Sequence, residues 1–196
     1  MKKYFLILGF ILITISCKEN IISPSNPKEI FPLNVGNNRI WKTTDYYSHG
    51  KEPFIYYDTL TVVKDTIINS INISIIKRIN TLTNSNYFIW YYNDNEGFKQ
   101  YMYNIGHYDS TLFYKYPGKV GDTFIDDGDT TTIEGINAIC NINSVSYNCY
   151  KYIRYQYIMG YKFISYVAPG VGFVLEEFYY NNILSQKTEL ISYTVK

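Results

Sequence analysis

Beyond residue 30 the chain alternates apolar and polar side chains with a period of two, and this alternation limits its possible folds more than any other feature. In "SINISII" Ile71, Ile73 and Ile75 alternate with Asn72 and Ser74, the pattern of a strand with one face buried. "YFIWYY" and "FKQYMYN" flank "NDNEG", a turn-forming cluster, and so predict a hairpin from about Tyr87 to Asn104. "FVLEEFYY" and "ILSQKTELISY" flank Asn181-Asn182, a pair able to take the positive φ of a tight hairpin turn. That hairpin is expected to set Glu176 opposite Lys187. No stretch carries a helical period beyond a turn or two. Roughly ten strands of ordinary length fit between Ile30 and Lys196. The expected fold is all-β: one large, curved antiparallel sheet of mostly meander connectivity, as a half-barrel, barrel or sandwich.

Residues 1–16, "MKKYFLILGFILITIS", obey different rules. Lys2 and Lys3 precede an uncharged apolar run from Phe5 to Ile15 that is short for a bilayer span, which is the layout of a secretory signal. Ile13, Ile15 and Ser16 before Cys17 resemble the lipobox of bacterial lipoproteins, with Thr14 where that pattern prefers Leu. The resemblance implies cleavage after residue 16 and acylation of Cys17 by chains such as palmitate. Several chains on one Cys give stable anchoring, whereas a single chain is marginal. Residues 17–29, with "KENIISPSNPKE" after the Cys, read as a flexible tether, and residues 30–196 as a single β domain.

Charge excludes one class of partner. Losing Lys2 and Lys3 takes two of the 18 Lys and Arg and leaves a slight acidic excess against 17 Asp and Glu. No basic stripe remains to neutralise phosphates, so nucleic acid is not an expected partner, and membrane contact is expected through the lipid alone. The 23 Tyr invite a ring-stacking role, although strands favour aromatics for packing reasons of their own. In "YNCYKYIRYQY" strict alternation puts Tyr147, Tyr155 and Tyr157 on one face and Tyr150 and Tyr152 on the other. One set is expected in the core; the other either covers the sheet or forms a stacking platform for a glycan.

Other short stretches resemble chemical sites without meeting their requirements. "VAPGVGFVLEEF" contains Gly170 and Gly172 but no third Gly and no following helix, so nothing is present to hold a phosphate. Pro169, Gly170 and Gly172 are better read as a structural turn with positive φ at Gly170 or Gly172. "GHYDS" brings His107, Asp109 and Ser110 together, but neighbours on an extended chain point to opposite faces, and a polar loop is the expected reading. "DDGD" at 126–129 lacks the regular ligand spacing and closing Glu of a calcium loop and reads as a hairpin turn. His49, His107, Cys140 and Cys149 lack zinc-site spacing. No catalytic, metal-binding or cofactor-binding residue is assigned.

Four segments in order, "IFPLNVGNNRIWKT", "YPGKVGDTF", "INSVSYNCYKY" and "YVAPGVGFVLEE", resemble a family of uncharacterised bacterial lipoproteins related to the domain of unknown function DUF3108. Phe31, Pro32, Leu33, Gly36, Asn37 and Trp41 match its first element, and Gly121, Asp122, Thr123 and Phe124 its second. Tyr147 and Cys149 match the third, with Asn143, Ser144 and Val145 where the family has Pro-Ala-Gly. Ala168, Pro169, Gly170, Val171 and Gly172 match the last. The resemblance implies a curved sheet like the half-barrel of periplasmic lipoprotein carriers, and no catalytic residues.

A two-residue turn at Ser144-Val145 would set Ile142 against Tyr147 and Cys140 against Cys149, close enough for a disulfide in an oxidising compartment. The alternative is a buried thiol, since only Cys149 matches a family Cys. The expected function is that of a lipid-anchored outer-membrane protein, periplasmic or surface-facing, with a non-catalytic binding or structural role toward an unspecified ligand or protein. The alternative is a carrier of a hydrophobic ligand or lipoprotein in the concave face. A hydrolase is the least supported reading.

Overall fold

The computed structural model describes residues 21–22, 28–46, 52–104, 107–126 and 128–196. Cys17 and His49 lie outside them. The described strands are β1 (Ile21–Ile22), β2 (Asn38–Asp45), β3 (Phe54–Ile68), β4 (Ile71–Asn80), β5 (Ser85–Asn93), β6 (Gly97–Asn104) and β7 (His107–Lys115). They continue as β8 (Thr123–Asp126), β9 (Asp129–Ile142), β10 (Val145–Gln156), β11 (Tyr161–Ala168), β12 (Gly172–Tyr180) and β13 (Ile183–Thr194), with one 3₁₀ turn at Tyr157–Met159. The sheet runs β7-β6-β5-β4-β3-β2-β13-β12-β11-β10-β9-β8 and curls into a nearly closed barrel. Two six-stranded meanders, β2–β7 and β8–β13, meet where β2 pairs antiparallel with β13, Trp41 facing Leu190. β7 and β8 are the two edges, joined by residues 116–122. Strand twist accumulated over so many strands favours such curling. β1 falls within the expected tether and pairs in parallel with the start of β10.

Three hairpins use one device. Asn69-Ser70, Asn143-Ser144 and Asn181-Asn182 all have φ between 49° and 65°, the left-handed pair that matches hairpin twist. In the β9–β10 hairpin this places the turn one residue earlier than expected and shifts the pairing by two. The turn is Asn143-Ser144, because Asn tolerates the left-handed region and β-branched Val145 resists it. Cys140 therefore faces Tyr147, and Cys149 faces Ala138. The two cysteines are diagonal, buried and free.

Bulges account for two further corrections. Between Phe178 and Tyr179 the pairing of β12 with β13 slips, so Glu176 faces Thr188 and Glu177 faces Lys187. Between Cys149 and Tyr152 the pairing of β10 with β9 is irregular, and the buried face of β10 changes parity there. Tyr147 and Cys149 are buried below the irregularity and Tyr152 beyond it, while Tyr155 is exposed. Strict alternation assigned Tyr147 and Tyr152 to opposite faces; the bulge brings both into the core. In β4, Ile76 joins the main core, whereas Ile73 packs with Tyr92 and Tyr101 in a smaller cluster.

"VAPGVGFVLEEF" now has a physical role. Residues 29–33 close one end of the barrel as a plug, with Ile30, Phe31 and Leu33 buried. Gly170 N–H donates to Glu29 O at 3.0 Å. Gly170 and Gly172 have φ of 79° and 100°, and a Cβ on Gly172 would lie 2.5 Å from the Phe31 ring. Arg39, inward on β2, holds the plug from above: Nε donates to Val171 O at 2.8 Å and Nη2 to Pro32 O at 3.0 Å. Its guanidinium lies 4.0 Å over the Phe31 ring, a cation–π contact strengthened by burial. Burial lowers the Arg39 pKa to about 10, which leaves it charged at neutral pH.

Candidate functional site: the barrel interior

Above the plug the barrel encloses a cavity of about 340 Å³, within the size range of small-molecule sites. Period-two alternation supplies its lining. On β2 the buried residues are Arg39, Trp41 and Thr43, of which Arg39 binds the plug and the other two line the cavity. The floor is apolar, with Phe31, Trp41, Leu60, Phe98 and Phe173. Phe31 and Phe98 stack at 4.6 Å, and Trp41 lies 5.8 Å from Phe173 while its Nε1–H donates to Phe173 O at 3.0 Å. One wall continues the rings: Tyr91 stacks on Phe98 at 4.8 Å and meets Phe113 edge-on. Burial pushes the Tyr91 hydroxyl up to about 12.

The facing walls are polar. Arg78 Nε donates to Asp58 Oδ1 at 2.8 Å, and Asn80 Nδ2 donates to the same oxygen at 3.0 Å. Ser165 Oγ donates to Glu176 Oε2 at 2.9 Å. Thr43 and Thr188 share a hydroxyl hydrogen bond at 3.1 Å, and Gln186 Nε2 donates to Tyr56 OH at 2.7 Å. The Arg154 guanidinium covers the Phe163 ring at 4.4 Å. Beside them Thr131 is 4% exposed and its Oγ1 has no hydrogen-bond partner. Buried hydroxyls are normally paired, and this one, sealed from solvent, is an exception among the described residues.

Near the seam between the edge strands, Tyr152 stands 5.0 Å from the Tyr114 ring, and its hydroxyl donates to Lys115 O at 2.8 Å. A side chain of β10 thus reaches the end of β7, which no backbone ladder joins to β8. Burial drives the Tyr152 pKa strongly upward, so the phenol remains a donor. At the end opposite the plug, Tyr46, Phe54, Ile158, Met159, Tyr180 and Ile183 are exposed near the turns and give it an apolar rim.

The residues singled out from sequence fall elsewhere. Pro169, Gly170 and Gly172 form the turn that receives the plug. Cys140 and Cys149 are core residues outside the cavity lining; the hydrogen bond to Cys140 and burial hold the Cys149 thiol proton tightly. The polar loop expected at "GHYDS" is instead strand from His107 onward: His107 opens β7 and Asp109 and Ser110 lie within it; Gly106 lies outside the described residues. The Asp109 carboxylate accepts from Ser110 N–H at 2.7 Å, so it is turned onto its own backbone. "DDGD" spans the β8–β9 turn, as expected, with Gly128 at φ 85°. The lining of the cavity was missed because eleven separate strands contribute to it; the available signal was Arg39, Trp41 and Thr43 on one face of β2.

No protein-family model matches the chain, and no curated protein matches it. Two crystal structures do resemble it. A candidate exported protein with a YmcC-like fold from Bacteroides fragilis NCTC 9343 superposes with a TM-score of 0.55 at 13% identity, over 84% of this chain and 98% of that one. A candidate lipoprotein from Parabacteroides distasonis ATCC 8503 superposes with a TM-score of 0.53 at 14% identity, over 87% of this chain and all of that one. At such identities the likeness concerns architecture alone: this chain shares the fold of those two bacterial proteins over nearly their whole length.

Proposed function

We propose that the protein is a lipid-anchored lipoprotein of the outer membrane that binds a small molecule non-catalytically inside its barrel. The observation carrying this reading is the cavity, plugged at one end and lined by rings and paired polar groups. Its polar side chains are engaged in mutual hydrogen bonds that suit them for orienting a ligand. The leader at 1–16 followed by Cys17 supports export and acylation, and so do the descriptions of the similar structures as exported and as a lipoprotein. The ordered Phe-Pro-Leu, Gly-Asp-Thr-Phe and Ala-Pro-Gly-Val-Gly elements support kinship with the DUF3108-related lipoproteins.

A second reading, delivery of a hydrophobic cargo or a lipoprotein, is supported by the apolar rim at Ile158, Met159 and Ile183. Native mass spectrometry of the full chain, purified from a bacterial membrane fraction, tests the binding role. A retained small-molecule mass that disappears on denaturation is expected. Its absence from every preparation, together with no ligand-induced rise in melting temperature from a host extract, overturns the reading. Cys17→Ala is expected to move the protein from the membrane to the soluble fraction; an unchanged membrane share overturns the anchor.

A further inference from the structure

We infer that the cavity takes an uncharged, polyhydroxylated ring compound of the mono- or disaccharide class. This rests on the ligand-binding reading above and narrows it. Charge balance is the first reason. The lining holds two arginines, Arg78 and Arg154, and two carboxylates, Asp58 and Glu176. An anionic ligand would meet the carboxylates beside the arginines, and a cationic one the reverse, so neither gains from the site's net charge.

The second reason separates a sugar from an acyl chain. Hydrocarbon against these walls would strip water from groups whose hydrogen-bonding capacity is only partly used. The contact of Arg78 with Asp58 is made through Nε and Oδ1. Covering such groups without replacing their water is unfavourable. Hydroxyls projecting from a ring both donate and accept, so they can serve a guanidinium, a carboxylate and a threonine at once. The third reason is the floor. Trp41 and Phe173 line it, and the electron-rich faces of such rings attract the weakly positive C–H face of a sugar as they attract ring edges. An aromatic floor beneath a ring of polar groups thus matches both sides of one molecule.

The test titrates the full-length, detergent-solubilised protein with glucose, galactose, maltose, cellobiose and lactose, and separately with glucuronate and dodecanoate. Calorimetry is read alongside Trp fluorescence, since Trp41 lies in the floor. The expected result is saturable binding of at least one neutral sugar, with glucuronate at least about tenfold weaker than glucose if glucose binds. Thr131→Val should weaken the sugar about threefold to tenfold, the worth of one hydrogen bond. The same substitution should leave the melting temperature unchanged or higher, because it removes an unpaired buried hydroxyl; Thr131→Ser should bind as the parent does. Dodecanoate binding with no response to any sugar overturns the ligand class and leaves the ligand-binding reading standing. Sugar binding unaffected by Thr131→Val overturns the assigned position. No binding by any probe overturns the sugar class, and the retained mass from the native experiment then decides whether the broader reading falls with it.

Discussion

Replacing Gly172 by Ala tests the union of plug and barrel. The position has φ of +100°, where an L-residue costs about 1–2 kcal/mol. The added Cβ would also lie 2.5 Å from Phe31 Cδ2 and 2.8 Å from Cε2. The ring has little room to retreat. It stacks on Phe98, lies beneath the Arg39 guanidinium, and its carbonyl accepts from Asn93 Nδ2 at 2.9 Å. Forcing such an overlap costs about 1–3 kcal/mol, for a combined loss of about 2–5 kcal/mol. Gly121 is the control: φ is +89°, yet nothing lies within 4 Å of its Cβ position. Gly121→Ala should therefore show backbone strain alone, about 1–2 kcal/mol. Urea unfolding with unchanged slope measures both, and the Gly172→Ala loss corresponds to a melting temperature lower by about 5–15 °C for a domain this size. Adding Phe31→Leu to Gly172→Ala should recover part of the excess. Equal losses for the two glycine variants, or no recovery, would falsify the packing of Phe31 against the 169–172 turn.

Alkali should titrate the half-buried phenol of Tyr91. Its folded pKa of about 12 lies above the ordinary value of 10, so the folded state binds the proton more tightly. The resulting stabilisation, about 3 kcal/mol, is complete below pH 10 and lost between pH 10 and 12; urea midpoints across that range should fall less steeply for Tyr91→Phe than for the parent. Asp58→Asn removes the counter-charge of partly exposed Arg78 and should cost about 1–3 kcal/mol, partly restored by adding Arg78→Met, as read by chemical denaturation. For the thiols, the diagonal register predicts that alkylation of the denatured, unreduced protein labels both Cys140 and Cys149, and mass mapping that finds neither labelled refutes it.

Much of the architecture was legible in sequence because its causes are local. Alternation along β4, the Asn pair at 181–182 and the Pro169-Gly170 bend each depend on a few neighbouring residues and on backbone sterics, so an all-β meander could be inferred from them. Register was less legible. Whether the β9–β10 turn sits at Asn143-Ser144 or one residue later is a small energetic difference, decided by the left-handed preference of Asn. Bulges near Tyr152 and Phe178 were not legible at all, since an extra residue in a strand is set by what its partner strand and the curvature of the sheet require. The cavity lies furthest from the sequence. Trp41, Tyr91, Thr131 and Glu176 come to line one cavity only when the sheet curls and β2 closes on β13, because burial inside a barrel is a property of all the strands together. Local alternation says that a strand has two faces; only the closed sheet decides which face looks inward and what it meets there.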